Sequence, residues 1–198
     1  VNDADAAELT AADLSTLGGR TAGTVTVTNA VAITGSIAQS TAALVTAGSL
    51  VEVSDATVTI NDADGSALNA EDLSAIGNKT TGTVTVTNAV AISGTTAQVT
   101  AALVTAGTLV EVTDAAVTID DTPTIAELNA IAAKTTGVVT ATLAANSLAN
   151  LGALTTAGTD VITITVNDAD AAELTAADLS TLGEKTAATV TVSNAVNI

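Results

Sequence analysis

The residues of this chain with the most chemical potential are acids. Asn61-Asp62-Ala63-Asp64-Gly65, followed by Glu71-Asp72, has the look of part of a calcium loop, because a hard cation needs several carboxylate and carbonyl oxygens converging from one turn. The match is incomplete. With Asp62, Asp64, Gly65 and Glu71 at loop positions 3, 5, 6 and 12, the first ligand position falls on Ile60, and the related stretches at Asp3/Asp5 and Asp168/Asp170 lack the glycine. Helix capping and solvation account for these acids without a metal. Calcium bridging adjacent segments, where repeated carboxylates would otherwise repel, is the alternative. No residue is assigned as a metal ligand, and divalent cations are kept as possible partners.

Catalysis lacks its usual parts. The chain has no His and no Cys, and no Ser stands beside a plausible base, so nucleophilic or general acid–base chemistry has no spacing to rest on. Acid pairs such as Asp120/Asp121 sit at turn positions, and the expectation is that the protein is not an enzyme. The four basic residues, Arg20, Lys79, Lys134 and Lys185, each precede a Thr and follow a predicted helix, where a cation meets the negative end of the dipole. With 21 acids against 4 bases the net charge is −17, which excludes nucleic acid and anionic membrane surfaces as partners. Apolar runs such as Ala101-Ala102-Leu103-Val104 are far too short to insert in a membrane.

Two further sets recur. The Thr-x-Thr pairs Thr24/Thr26, Thr83/Thr85, Thr140/Thr142, Thr163/Thr165 and Thr189/Thr191 could present a flat hydroxyl array similar to that of β-solenoid ice-binding proteins, but Glu52 and Glu111 interrupt the rank. Ordinary β propensity explains the threonines better. Asn29, Asn88 and Asn194 are expected to satisfy turn backbone groups in a ladder.

These residues recur because the chain does. Residues 1–59 match 60–118 at 41 of 59 positions, and 1–33 match 166–198 at 28 of 33. The expected organisation is one continuous array over 1–198, with repeats at about 1–59, 60–118, 119–165 and 166–198, the last partial, and the whole reads as a piece of a longer tandem array. Thr24 to Ile33 alternates as a half-buried strand, Val25 and Val27 inward and the threonines outward. Asn29-Ala30 breaks it before a second short strand. Helices are expected after the capping-box spacings Asp5/Glu8, Ser36/Gln39 and Thr124/Glu127, the second running through Leu44 and stopping at Gly48, with Gly18-Gly19 as a left-handed C-cap. Ile125, Leu128 and Ile131 supply a helical stripe, and Ala144 to Gly158 reads as turn and helix. Strand to strand, the units are spaced by 26, 33, 26, 29, 22 and 29 residues.

Each unit is too small to bury its own apolar face, so neighbours must stack. The predicted fold is a repeat solenoid, a right-handed α/β array of parallel strands and short helices that resembles a leucine-rich repeat in construction; a pure parallel β-solenoid is the alternative. With no aromatic, Met or Cys residue and 47% aliphatic or Ala, the core must be thin and layered.

The blocks Val90–Val99 and Thr124–Gly137 resemble the Ala/Thr/Val-rich tandem repeats of very large bacterial, cyanobacterial-type, extracellular surface proteins. That resemblance implies secretion, a surface or matrix location, and a fibrous, adhesive or layer-forming role, and it transfers no site residues. The expected function is a structural, non-catalytic rod of an extracellular filament, surface layer or adhesin stalk that self-associates head to tail. A calcium-dependent or surface-ligand-binding adhesin module is the alternative.

Overall fold

The computed structural model describes residues 1–46, 48, 51–105, 107 and 110–198. Short parallel strands alternate with short helices in a solenoid-like arrangement. The strands are β1 (Glu8–Thr10), β2 (Val25–Val27), β3 (Ala32–Gly35), β4 (Val51–Val53), β5 (Thr57–Ile60), β6 (Ala67–Asn69), β7 (Val84–Val86), β8 (Ala91–Gly94), β9 (Val110–Glu111), β10 (Ala116–Ile119), β11 (Val139–Thr142), β12 (Val161–Val166) and β13 (Val190–Val192). The helices are α1 (Ala11–Gly18), α2 (Ile37–Ser40), α3 (Ala70–Gly77), α4 (Thr96–Val99), α5 (Ile125–Ala132), α6 (Leu148–Leu151) and α7 (Ala176–Gly183).

The alternation of the sequence sets the strand faces. Val27, Val84 and Val86 are buried and Val25 is half-buried, while Thr24, Thr26 and Thr28 are exposed. Opposite faces follow from the two-residue period of the pleat, and the inward set forms a core of Val, Ile, Leu and Ala that runs through the whole chain.

Strand pairing departs from a plain stack. β2 pairs with β4, and β3 with β5, as the spacing predicts. The next strand, β7, then lies on β5 rather than on β4, through Val58↔Val84 and Ile60↔Val86. The 33-residue spacing also holds an extra strand, β6, on which β8 is laid through Leu68↔Ile92. The same shift occurs without such a strand at β11, which lies on β10 through Val117↔Val139. The sheets are therefore staggered: β1-β3-β5-β7-β9, then β13-β12-β11-β10-β8-β6, and the pair β2-β4.

Local structure differs from expectation at three points. Glu8 is in β1, paired with Ala32, so Asp5 and Glu8 make no capping box; the ladder bonds of an extended segment outweigh a local cap. Helix α1 begins later, where the Thr10 hydroxyl accepts the Asp13 N–H at 3.1 Å. Gly19 is right-handed, with φ −68° and ψ −7°, and Asn78, Ala133 and Glu184 cap α3, α5 and α7 in the same conformation, so no glycine is required there. Helix α2 passes at Ser40 into a π-helical turn over Thr41–Val45 and is capped at Thr46, short of Gly48. Ala43 and Leu44 in that turn are both buried in the core. The capping boxes at Ser36/Gln39 and Thr124/Glu127 form as the spacing predicts, and Leu128 and Ile131 are fully buried below α5.

Two predictions follow from the burial pattern. Val86→Asp, which buries an unpaired charge, should cost on the order of 3–5 kcal/mol, whereas Thr85→Lys on the outer face should stay within about 0.5 kcal/mol; equal losses in thermal unfolding would refute the register. Ser40 is fully buried and its hydroxyl has no partner, while Val99 fills the matching place in α4, also fully buried. Ser40→Val should therefore stabilise the chain by about 1–2 kcal/mol, and a lower melting temperature would contradict this account of the site.

Candidate functional site

The acids singled out by sequence are acceptors for the backbone of neighbouring coils. At the start of a helix the first amides lack intrahelical partners. In α2 the Ser36 hydroxyl takes one of them, the Gln39 N–H, and Asp62 of the following coil takes another: the Ile37 N–H donates to Asp62 Oδ2 at 2.7 Å. The same arrangement recurs where the Thr96 N–H donates to Asp121 Oδ1 at 2.7 Å and the Leu148 N–H to Asp168 Oδ2 at 2.8 Å. Asp121 also accepts the Thr96 hydroxyl. These bonds, first from the side chain and then the backbone of Thr96, hold the Asp121 carboxyl below its ordinary pKa. Glu127 is lowered in the same sense by the Thr124 backbone and hydroxyl donors.

The calcium-like loop is consequently divided among different partners. Asp62 points its bond back to Ile37, Asp64 Oδ1 accepts the Ala89 N–H at 3.1 Å from the coil after it, and Glu71 Oε2 accepts Gln98 Nε2 at 2.9 Å. Among the described residues no group of three or more His, Cys, Asp or Glu is placed to hold a metal ion. Gly65 occupies the left-handed region at φ 74°, and Ala6 and Ala171 take the same turn at φ 60° and 61°, a conformation costing an L side chain about 1–2 kcal/mol. In each copy the turn gives its N–H to a carbonyl of the next coil, Ala6 to Ala30, Gly65 to Ala89 and Ala171 to Ala195.

The asparagines act as the sequence suggests. Asn29, Asn88 and Asn194 each donate Nδ2 to a carbonyl one coil back, those of Asp3, Asp62 and Asp168. A second ladder uses threonines: Thr80 and Thr135 donate their hydroxyls to the carbonyls of Ala56 and Ala115. The chain passes so close there that a Cβ on Gly82 or Gly137 would lie 2.3 Å from those same oxygens. Arg20, Lys79, Lys134 and Lys185 all stand two residues past a helix end, each with its N–H on a carbonyl of the last turn.

The outer threonines form one rank, Thr10, Thr34, Thr59 and Thr85, which ends on Glu111. Elsewhere the pattern breaks, with Thr26 facing Glu52 and Thr140 facing Val161. Among the described residues these ranks do not join into one continuous hydroxyl plane.

One residue escaped sequence reasoning. Asp160 is 3% exposed; its Oδ1 accepts the Val139 N–H and its Oδ2 the Ala157 N–H, both at 2.8 Å. Its only sequence signal is a lone acid at the mouth of the all-apolar and Thr strand Val161–Val166. Nearby, the short coil around α6 leaves a groove of about 550 Å³ against α7, floored by Leu148, Leu151, Leu174 and Leu182 with Asp168 and Lys185 at its edge. Helix α6 has four residues and no π-helical turn, so the layer that packs α3 is thin at α7.

Comparison with protein-family models, with curated proteins and with solved structures gives no match, so function must be argued from the chain's own geometry.

The lowered pKa of Asp121 gives a pH test. A carboxylate whose folded pKa lies below its unfolded value of about 3.9 stabilises the fold above that value and loses the contribution as pH falls through the folded pKa. Relative to wild type, Asp121→Asn should therefore be less stable at pH 6–7, with the difference shrinking below about pH 4. A difference in melting temperature that stays constant between pH 7 and pH 3 would contradict the role of the ionised carboxylate.

Proposed function

We propose that this chain is a repeat solenoid of the right-handed α/β kind, serving as a non-catalytic structural rod in an extracellular filament, surface layer or adhesin stalk, with copies adding end to end. The observation that carries this reading is where the polar chemistry is spent. The carboxylates that might have served a metal or a proton transfer instead accept backbone amides across coils, as Asp62, Asp121 and Asp168 do for Ile37, Thr96 and Leu148. Such a chain invests its functional groups in holding one coil to the next, the requirement of a rod whose stability is a sum of nearest-neighbour contacts.

A core of small aliphatic side chains supports the same reading, because thin layers of uniform thickness propagate without a centre. The net charge of −17 keeps rods soluble and apart from one another except where surfaces are matched. Head-to-tail contacts of this type are heterologous and do not close, so they build open filaments.

Electron microscopy across a concentration series, with and without calcium, tests the proposal. Rods of constant width whose length grows with concentration are expected. Compact monomers alone, at the highest concentration and in both conditions, would overturn it.

A further inference from the structure

The groove between α6 and α7 lies inside the array, and the repeat itself shows what its walls meet elsewhere. Residues 166–198 correspond to 60–92 as well as to 1–33, so Leu174 and Leu182 stand where Leu68 and Ile76 stand around α3. There the π-helical turn Thr41–Val45 of the preceding coil packs against the helix, and Leu68 and Ile76 are 2% and 0% exposed. At α7 the preceding coil offers only α6, four residues long. Leu182 is buried, but Leu174 stays half-buried. The opening of about 550 Å³ over Leu148, Leu151, Leu174 and Leu182 is the place of an aliphatic turn that this coil lacks.

The walls discriminate between occupants. A peptide turn seated here would need an acceptor for its leading amides, and the aspartate with that role is already engaged, since Asp168 Oδ2 accepts the Leu148 N–H at 2.8 Å. The floor is leucine, against which unpaired amides are costly. A hydrocarbon chain brings no such groups, and the volume falls in the usual range of small-molecule sites, about 300–1,000 Å³.

The rim selects the head group. Asp168, Glu173 and Asp178 border the groove against a single base, Lys185, in a chain of net charge −17. Both the local and the overall field therefore favour a cation. Asp178 is in the first turn of α7 and Lys185 stands past its end, so the base is remote from the acidic end. Around α3, where the turn is present, the counterpart of Glu173 is Ala67.

We propose that this groove binds one aliphatic chain with a cationic head, an alkylammonium amphiphile, its chain on the leucines and its head between Glu173 and Asp178. The site is contained in one chain, so it stands whether or not copies add end to end.

Calorimetric titration of the intact chain with decylammonium, in physiological salt and below its micelle concentration, tests this. One molecule should bind per chain, and octylammonium should bind about tenfold more weakly, because two fewer methylenes leave water. Decanoate should bind at least about tenfold more weakly than decylammonium, being repelled by the rim. Leu174→Gln makes the floor polar without changing net charge, and Glu173→Lys reverses the rim; each should weaken decylammonium at least about fivefold. Glu111→Lys, the same charge change on another sheet, should leave binding unaltered. Circular dichroism verifies folding, and Glu173→Lys, on the exposed rim, decides alone if Leu174→Gln is unfolded. No binding at about 1 mM decylammonium, equal affinity for decanoate, undiminished binding in a folded groove variant, or equal weakening by Glu111→Lys would overturn the proposal.

Discussion

No coil of this chain can satisfy its own backbone. A helix of four to eight residues leaves most of its amides and carbonyls without intrahelical partners, and a strand of three or four residues has no hydrogen bonds of its own. Both debts are settled by the adjacent coil. The strand ladders run parallel from coil to coil, and the first amide of α2, α4 and α6 is taken by an aspartate from the coil that follows. The Asn and Thr ladders extend the same solution to the turns. Stability is consequently a property of the interface between coils and not of any one coil, which is the physical content of a solenoid-like arrangement.

The composition fits this constraint. A layer one strand and one short helix thick has no deep interior for an aromatic ring to fill, and its core is made of Val, Ile, Leu and Ala. Where coils approach most closely, even a methyl group is excluded, as at Gly82 and Gly137 over the carbonyls of Ala56 and Ala115. Where a coil is shortened, as around α6, the layer cannot close and a groove opens. A shortened coil thus shows as a recess in the surface.

Charge then acts at a different scale from the caps. Bonded acids such as Asp62 and Asp160 are structural acceptors, while others such as Glu52 and Glu111 stand exposed on the outer face of their strands. The net charge of −17 sets a general repulsion between copies of the chain.

The sequence by itself determined everything that depends on near neighbours along the chain. The period-two alternation of Val25, Thr26 and Val27 settled which face is buried, and the Ser36/Gln39 and Thr124/Glu127 spacings settled two helix starts. Tertiary structure decided what depends on a partner from another coil. Glu8 became a strand residue because Ala32 lies beside it; Asp62 and Asp64 were drawn to opposite neighbours; and β7 and β11 were laid on β5 and β10 rather than on β4 and β9. The physical reason is the same in each case: a hydrogen bond within three or four residues is written into local spacing, whereas one across a coil is chosen by the path of the chain between.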